Sequence, residues 1–149
     1  MVTKNSYKMA KPLVTCLWFD GQAEAAAKYY CTVFKDSKIT QVTPMVVTFE
    51  LNGNKFMGLN GGPQFKFDEA ISLMVNCDSQ DEIDYYWDTF TNDGGTESVC
   101  GWLKDKFGLS WQIVPSNIGE LMAEPEKAKR VMDVVMQMKK IDKKKLEDA

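Results

Sequence analysis

At 149 residues, 44% hydrophobic and 26% charged, the chain is one domain long and large enough to bury a core. A formal net charge of −3 leaves no basic footprint for nucleic acid, and no apolar run approaches the roughly 18 residues of a membrane span. There is no histidine, so the commonest metal ligand and the usual general base near neutral pH are both missing.

The start, Met1 to Lys11, carries no apolar stretch of the secretory kind, which predicts a cytoplasmic protein. The four cysteines, Cys16, Cys31, Cys77 and Cys100, form no C-x-x-C pair. They are expected to be reduced, and three of them sit in apolar runs as small hydrophobes.

Leu13 to Phe19 reads as a buried strand ended by Asp20-Gly21. Ala23, Ala26, Ala27, Tyr30, Cys31 and Phe34 then share one helical face, with Glu24 and Lys28 on the other. Lys38 to Thr43 and Met45 to Leu51 read as strands. Asn52-Gly53 is a hairpin signal, Lys55 to Leu59 returns, and Asn60 to Pro63 breaks the chain. The order then recurs. Ala70 to Cys77 is a strand, and Ser79-x-x-Glu82 a capping box opening a helix with Ile83, Tyr86, Trp87 and Phe90 inward. Asn92 to Gly95 is a break, Thr96 to Leu103 a strand, Asp105 to Gly108 a turn, and Leu109 to Val114 a last strand.

Four matches share one offset of 58: Asp20 with Asp78, Gln22 with Gln80, Glu24 with Glu82 and Tyr29 with Trp87 (78 − 20, 80 − 22, 82 − 24, 87 − 29). With the repeated strand and helix order they point to an internal duplication. Beyond Pro115 the tail reads as helical. Asn117-x-x-Glu120 is a possible cap and Pro125 a first-turn residue. Ala128, Val131, Met132, Val135 and Met138 make an apolar stripe, and Lys139, Lys140, Lys143, Lys144 and Lys145 a solvated helix end that complements its dipole.

Three stretches carry a resemblance: Leu17-Trp-Phe-Asp-Gly-Gln-Ala-Glu-Ala-Ala-Ala-Lys-Tyr-Tyr30, Asn60-Gly-Gly-Pro-Gln-Phe-Lys-Phe-Asp-Glu-Ala-Ile-Ser72 and Cys100-Gly-Trp-Leu-Lys-Asp-Lys-Phe-Gly-Leu-Ser-Trp-Gln-Ile-Val-Pro115. Together they resemble the PhnB-like family of the glyoxalase/bleomycin-resistance (vicinal oxygen chelate) superfamily, often labelled 3-demethylubiquinone 3-methyltransferase-like. The resemblance implies an α+β fold of two tandem βαβββ modules, with curled mixed sheets around a cleft, and a homodimer. The modules would cover residues about 12–60 and 70–115, with a linker over 61–69 and a helical tail over 116–149. It also implies that many relatives hold a divalent metal through His and Glu on the first and last strands of each module.

Those strands here offer little. Leu13 to Phe19 has Cys16, Lys55 to Asn60 has no His, Asp, Glu or Cys, and Ala70 to Cys77 has only Cys77. Gln112 stands where metal-binding relatives place a glutamate, and a neutral amide is a weak ligand. No metal is expected in the usual place, and no cofactor.

Strand alternation puts Leu13, Thr15, Leu17 and Phe19 toward a helix and Val14, Cys16 and Trp18 toward the cleft. It likewise puts Ile71, Leu73, Val75 and Cys77 toward the helix and Ser72, Met74 and Asn76 toward the cleft; a one-residue slip would exchange the sets. Candidate ligand-binding residues are Cys16, Trp18, Ser72, Met74, Trp102 and Gln112, suited to a small, flat or partly apolar molecule. The tryptophans, Trp111 above all, also read as core or interface anchors. Asp20, Asp68, Glu69 and Asp105 read as caps and turn residues rather than acid–base catalysts.

Three functions follow as alternatives. One is a cleft that binds a small molecule without converting it. The second is a lyase, isomerase or dioxygenase-type enzyme. The third, a methyltransferase, is disfavoured because neither Gly61-Gly62 nor Gly94-Gly95 lies between a strand and a following helix as a cofactor loop requires.

Overall fold

A computed structural model describes residues 11–149. The segment read above as free of a secretory signal lies almost wholly outside the described residues. The chain divides into two units, Met1–Phe65 and Lys66–Ala149. Each holds a four-stranded mixed sheet, so the α+β class and the two tandem modules are as expected.

In the first unit β1 (Thr15–Phe19) leads to α1 (Ala23–Val33), then β2 (Ser37–Val42), β3 (Val46–Leu51) and β4 (Asn54–Asn60). The sheet order is β1-β4-β3-β2, with β1 parallel to β4 and the other neighbours antiparallel. The β3–β4 turn is Asn52-Gly53, both at positive φ, 49° and 79°, as a two-residue hairpin requires.

Leu17 and Phe19 of β1, Val47, Phe49 and Leu51 of β3 and Phe56 of β4 are buried with Ala23, Ala26, Ala27 and Tyr30 of α1. Each large apolar side chain so buried contributes roughly 1.5–3 kcal/mol. The alanine face has a partner in Gly58, where an added Cβ would meet the Cβ of Ala23 at 3.0 Å, so small residues on both sides bring helix and sheet together. Leu13 does not join this layer. It is 97% exposed, two residues short of the pairing that starts at Thr15.

In the second unit β5 (Ser72–Cys77), α2 (Gln80–Thr91), β6 (Thr96–Glu97), β7 (Trp102–Lys104) and β8 (Ser110–Pro115) give the order β5-β8-β7-β6, with β5 parallel to β8. Ile83, Trp87 and Phe90 of α2 are buried with Val75, Cys77, Leu103, Trp111 and Ile113. Phe90 stacks on Trp111 with ring centroids 4.8 Å apart. Tyr86, expected in this stripe, is only half-buried. Ile71, expected on the helix side, is 70% exposed and precedes the strand.

The expected Thr96 to Leu103 strand is broken. Cys100 and Gly101 both have positive φ, 59° and 81°, and turn the chain between β6 and β7.

The duplication is visible in the folded units, but its offset drifts. Strands β1 and β5 correspond at 58 (Leu17 and Val75, 75 − 17). The buried helix faces correspond at 57 (Tyr30 and Trp87, 87 − 30) and β4 and β8 at 55, since Gly58 faces Leu17 as Ile113 faces Val75 (113 − 58). The buried counterpart of Trp87 is therefore Tyr30, not Tyr29.

The tail forms α3 (Ile118–Leu121), α4 (Pro125–Val135) and α5 (Lys143–Glu147). Pro125 does open α4. Asn117 precedes α3, but its side chain caps nothing. The lysine run does not end α4, which stops at Val135; Lys143–Lys145 lie within α5, capped by Asp142. Among the described residues no helix is long and apolar enough to cross a membrane.

Candidate functional site

Register builds the site in the second unit. Met74 of β5 pairs with Gln112 of β8, and Gln112 with Trp102 of β7. Their neighbours Val75, Ile113 and Leu103 are buried with α2, so alternation turns Met74, Gln112 and Trp102 to the opposite face. One step along, Ser72, Ser110 and Lys104 form a second row on that face. Gln112 Nε2 donates to Ser72 Oγ at 2.9 Å, which leaves the amide oxygen of Gln112 as an acceptor.

A cavity of about 220 Å³ lies over this face. Met74, Trp102, Gln112 and Val114 form its floor, and Ile118, Met122, Met132, Val135 and Ile141 of the tail its opposing wall. Its lining includes no carboxylate, lysine or arginine. An apolar cavity of about 150 Å³ takes a benzene-sized guest, so this one suits a molecule about half as large again.

A second cavity, about 230 Å³, also has Trp102 in its lining. It is lined by Glu69, Thr96, Glu97, Ser98, Lys104 and Ser110 among others. Lys104 Nζ lies 2.6 Å from Glu69 Oε1, and its hydrogen bond holds the Glu69 carboxyl below the usual carboxylate value. The Ser110 hydroxyl is buried without a partner.

The tail is fastened at several points. Cys100 N donates to Met138 O and Gly101 N to Lys139 O, each at 2.8 Å. Gln80 Nε2 donates to Ile141 O at 3.0 Å, and Lys143 N donates to Gln80 Oε1 at 2.8 Å. Lys140 Nζ lies 3.1 Å from Asp84 and 3.3 Å from Asp88. The Asp84 carboxyl is held below its ordinary value by the Gln80 amide and then by Lys140. Burial opposes the Lys140 charge, but Asp84 and Asp88 outweigh it and the ammonium pKa is raised.

Of the six candidate residues, Ser72, Met74, Trp102 and Gln112 share this one face. Cys16 and Trp18 stand on β1 of the first unit. Cys16 is exposed, opposite Met57. Trp18 donates Nε1 to Gly62 O at 2.8 Å and meets Phe65 edge-on at 4.9 Å, covering its own unit's last loop.

The carboxylates near turns have structural partners, though not all the expected ones. Asp68 accepts from Ala70 N at 2.9 Å. Asp20 caps nothing; Asn60 Oδ1 accepts from Ala23 N at 2.9 Å in its place. Met122, Met132, Ile141 and Ser110 escaped sequence reasoning. The α4 stripe signalled a buried face but not what it covers.

The residues do not fit a superfamily-type metal centre. The first and last strands supply a thiol at Cys16, thioethers at Met57 and Met74 and the already bonded amide of Gln112, none a good ligand for a hard divalent ion. Burial, then Glu82 and Asp78, push the Cys77 thiol up to about 12, away from the thiolate a metal would need. Among the described residues no three His, Cys, Asp or Glu side chains come together.

The sequence model of a family described as 3-demethylubiquinone-9 3-methyltransferase matches residues 11–114. Among solved structures, a PhnB protein from Bacillus cereus is 30% identical, over 70% of this chain and 99% of that one, with a TM-score of 0.64. A protein from Pseudomonas aeruginosa is 16% identical over 71% and 98%, with a TM-score of 0.59. A glyoxalase-related enzyme from Fulvimarina pelagi is 13% identical over 68% and 86%, with a TM-score of 0.50. The last two are likenesses of fold alone. No curated protein matches the chain.

Proposed function

The chain belongs to the 3-demethylubiquinone-9 3-methyltransferase family, as a PhnB-like member of the glyoxalase superfamily, and from that premise we propose that it binds a small, mainly apolar molecule in its second unit without a metal. The observation that carries this reading is the floor of the apolar cavity. Ser72 fixes the Gln112 amide, a hydrogen-bonding anchor, between Met74 and Trp102. Thioether and indole surfaces supply dispersion and shape, and one amide oxygen orients a donor on the ligand.

General acid–base chemistry needs a titrating group within reach of the ligand, and this lining offers none beyond the Cys100 thiol. Nor does the fold favour methyl transfer on a cofactor. Each sheet has one parallel pair, whereas a nucleotide-type cofactor site uses a doubly wound parallel sheet with a glycine-rich strand–helix turn.

Thermal denaturation tests the reading. A ligand that binds only the folded state raises Tm with its concentration. Octanol should do so saturably, while S-adenosylmethionine and Ni, Mn, Zn or Mg ions should not. Stoichiometric metal, lost on chelation together with stability, would overturn the metal-free reading, and saturable S-adenosylmethionine binding would restore the methyltransferase.

A further inference from the structure

The family match ends at residue 114, yet the cavity's opposing wall, from Ile118 to Ile141, comes wholly from the segment after it. That segment is a built part of the unit. The turn at Cys100 and Gly101 takes two positive φ angles and in that shape donates both backbone amides to the carbonyls of Met138 and Lys139. At Gly101 a Cβ would stand 3.0 Å from Ile141 Cγ1 and 2.9 Å from Ile113 O, so tail and sheet close on that glycine.

From this we infer that the tail is the selecting element of the pocket. It sets the length of an unbranched apolar chain whose hydroxyl meets the Gln112 amide oxygen. The inference rests on the cavity being the binding site. The floor is set on paired strands, which hold the backbones of Met74 and Trp102 in register on either side of Gln112. The wall is softer: Met122 and Met132 are unbranched and re-pack easily, and Met132 is 42% exposed. Chain length is thus decided by how far Met122 and Met132 let a ligand extend, and the polar end by Gln112.

The test is a ladder of linear primary alcohols from hexanol to dodecanol, titrated by tryptophan fluorescence against the wild type, the double variant Met122→Ala/Met132→Ala, and Gln112→Leu. Neither methionine is fully buried, so the double variant is expected to fold, and its melting curve checks this. Each methylene newly accommodated strengthens binding about fourfold (about 0.8 kcal/mol). Shortening both methionines should therefore move the preferred alcohol up by about two carbons and tighten the longer ones about fifteenfold. Gln112→Leu should weaken all alcohols alike without moving the optimum. If alcohols bind and Gln112→Leu weakens them, but the methionine variant keeps the wild-type optimum, the selecting role of the tail falls and the binding site stands. If no alcohol binds the wild type, both fall.

Discussion

Trp111 donates its indole Nε1 to Asp105 Oδ2 at 2.9 Å, and both residues are buried, at 2% and 3% exposure. The other oxygen of the same carboxylate accepts from Phe107 N at 2.8 Å and Leu109 N at 3.1 Å. One side chain thus closes the turn before β8 and fixes the tryptophan on which Phe90 stacks. This explains the spacing of Asp105-Lys-Phe-Gly-Leu-Ser-Trp111, which lies within the third stretch of the family resemblance, as a folding device. Asp105→Ala leaves two buried donors, Trp111 Nε1 and Leu109 N, and the half-buried Phe107 N unmatched, and should destabilise the protein by roughly 3–5 kcal/mol. Urea denaturation followed by tryptophan fluorescence measures it, and an effect below about 1 kcal/mol would contradict the assignment.

Gly61 lies beneath Trp18. An added Cβ would stand 2.3 Å from Trp18 Cζ2, so Gly61→Ala must displace the ring and loosen its bond to Gly62. Overpacking of this kind costs about 1–3 kcal/mol. A lowered Tm with a changed fluorescence maximum is expected, and Trp18→Phe should remove the fluorescence change.

Cys16 is exposed and Cys77 buried, and burial, with Glu82 and Asp78, pushes the Cys77 thiol up to about 12. Iodoacetamide near pH 8 should label Cys16 in the native protein and reach Cys77 only after denaturation. Mass spectrometry of the peptides distinguishes them, and native labelling of Cys77 would show that the contact between α2 and β5 opens.

The hold on the tail should fail at both pH extremes. Asp84 is depressed below 3.8. A carboxyl lowered in the folded state stabilises fully above its unfolded value, and that contribution is lost as pH falls through the folded one. Lys140, raised above 10.5, contributes fully below that value and loses its contribution as pH rises through the folded one. Amide exchange at Cys100 and Gly101, which donate to the tail, should keep a steady ratio to its intrinsic rate near neutrality and quicken relative to that rate below about pH 4. Asp84→Asn should quicken it at neutral pH, and exchange unaffected by that change would show that the ion pairs do not hold the segment.

Where the sequence was legible, the signal was local. Asn52-Gly53 forms its hairpin because both positions take φ values those residues tolerate. Ser79 caps α2 through Glu82 N at 3.2 Å, though Glu82 reaches back to Asp78 N rather than Ser79 N. What escaped depends on distant partners. Nothing around Cys100 marks a non-glycine residue for positive φ; the two tail carbonyls fix it from nearly forty residues away. The lysine run looked like a solvated helix end because Asp84 and Asp88 lie far back in the chain. Of the four candidate residues on one sheet face, Ser72 and Met74 came from alternation counted in β5, while Gln112 came from its place in the motif and Trp102 from its residue type. The wall opposite could not be read in this way, since a helical stripe shows that a face is covered and not by what.

The cavity lining includes no acid, amine or imidazole, and the chain has no histidine at all. A guest held by thioethers, an indole and a fixed amide meets no carboxylate, amine or imidazole, and the one ionisable side chain in the lining is the Cys100 thiol. Occupancy of such a pocket would follow the supply of the guest and stay indifferent to the acidity around it.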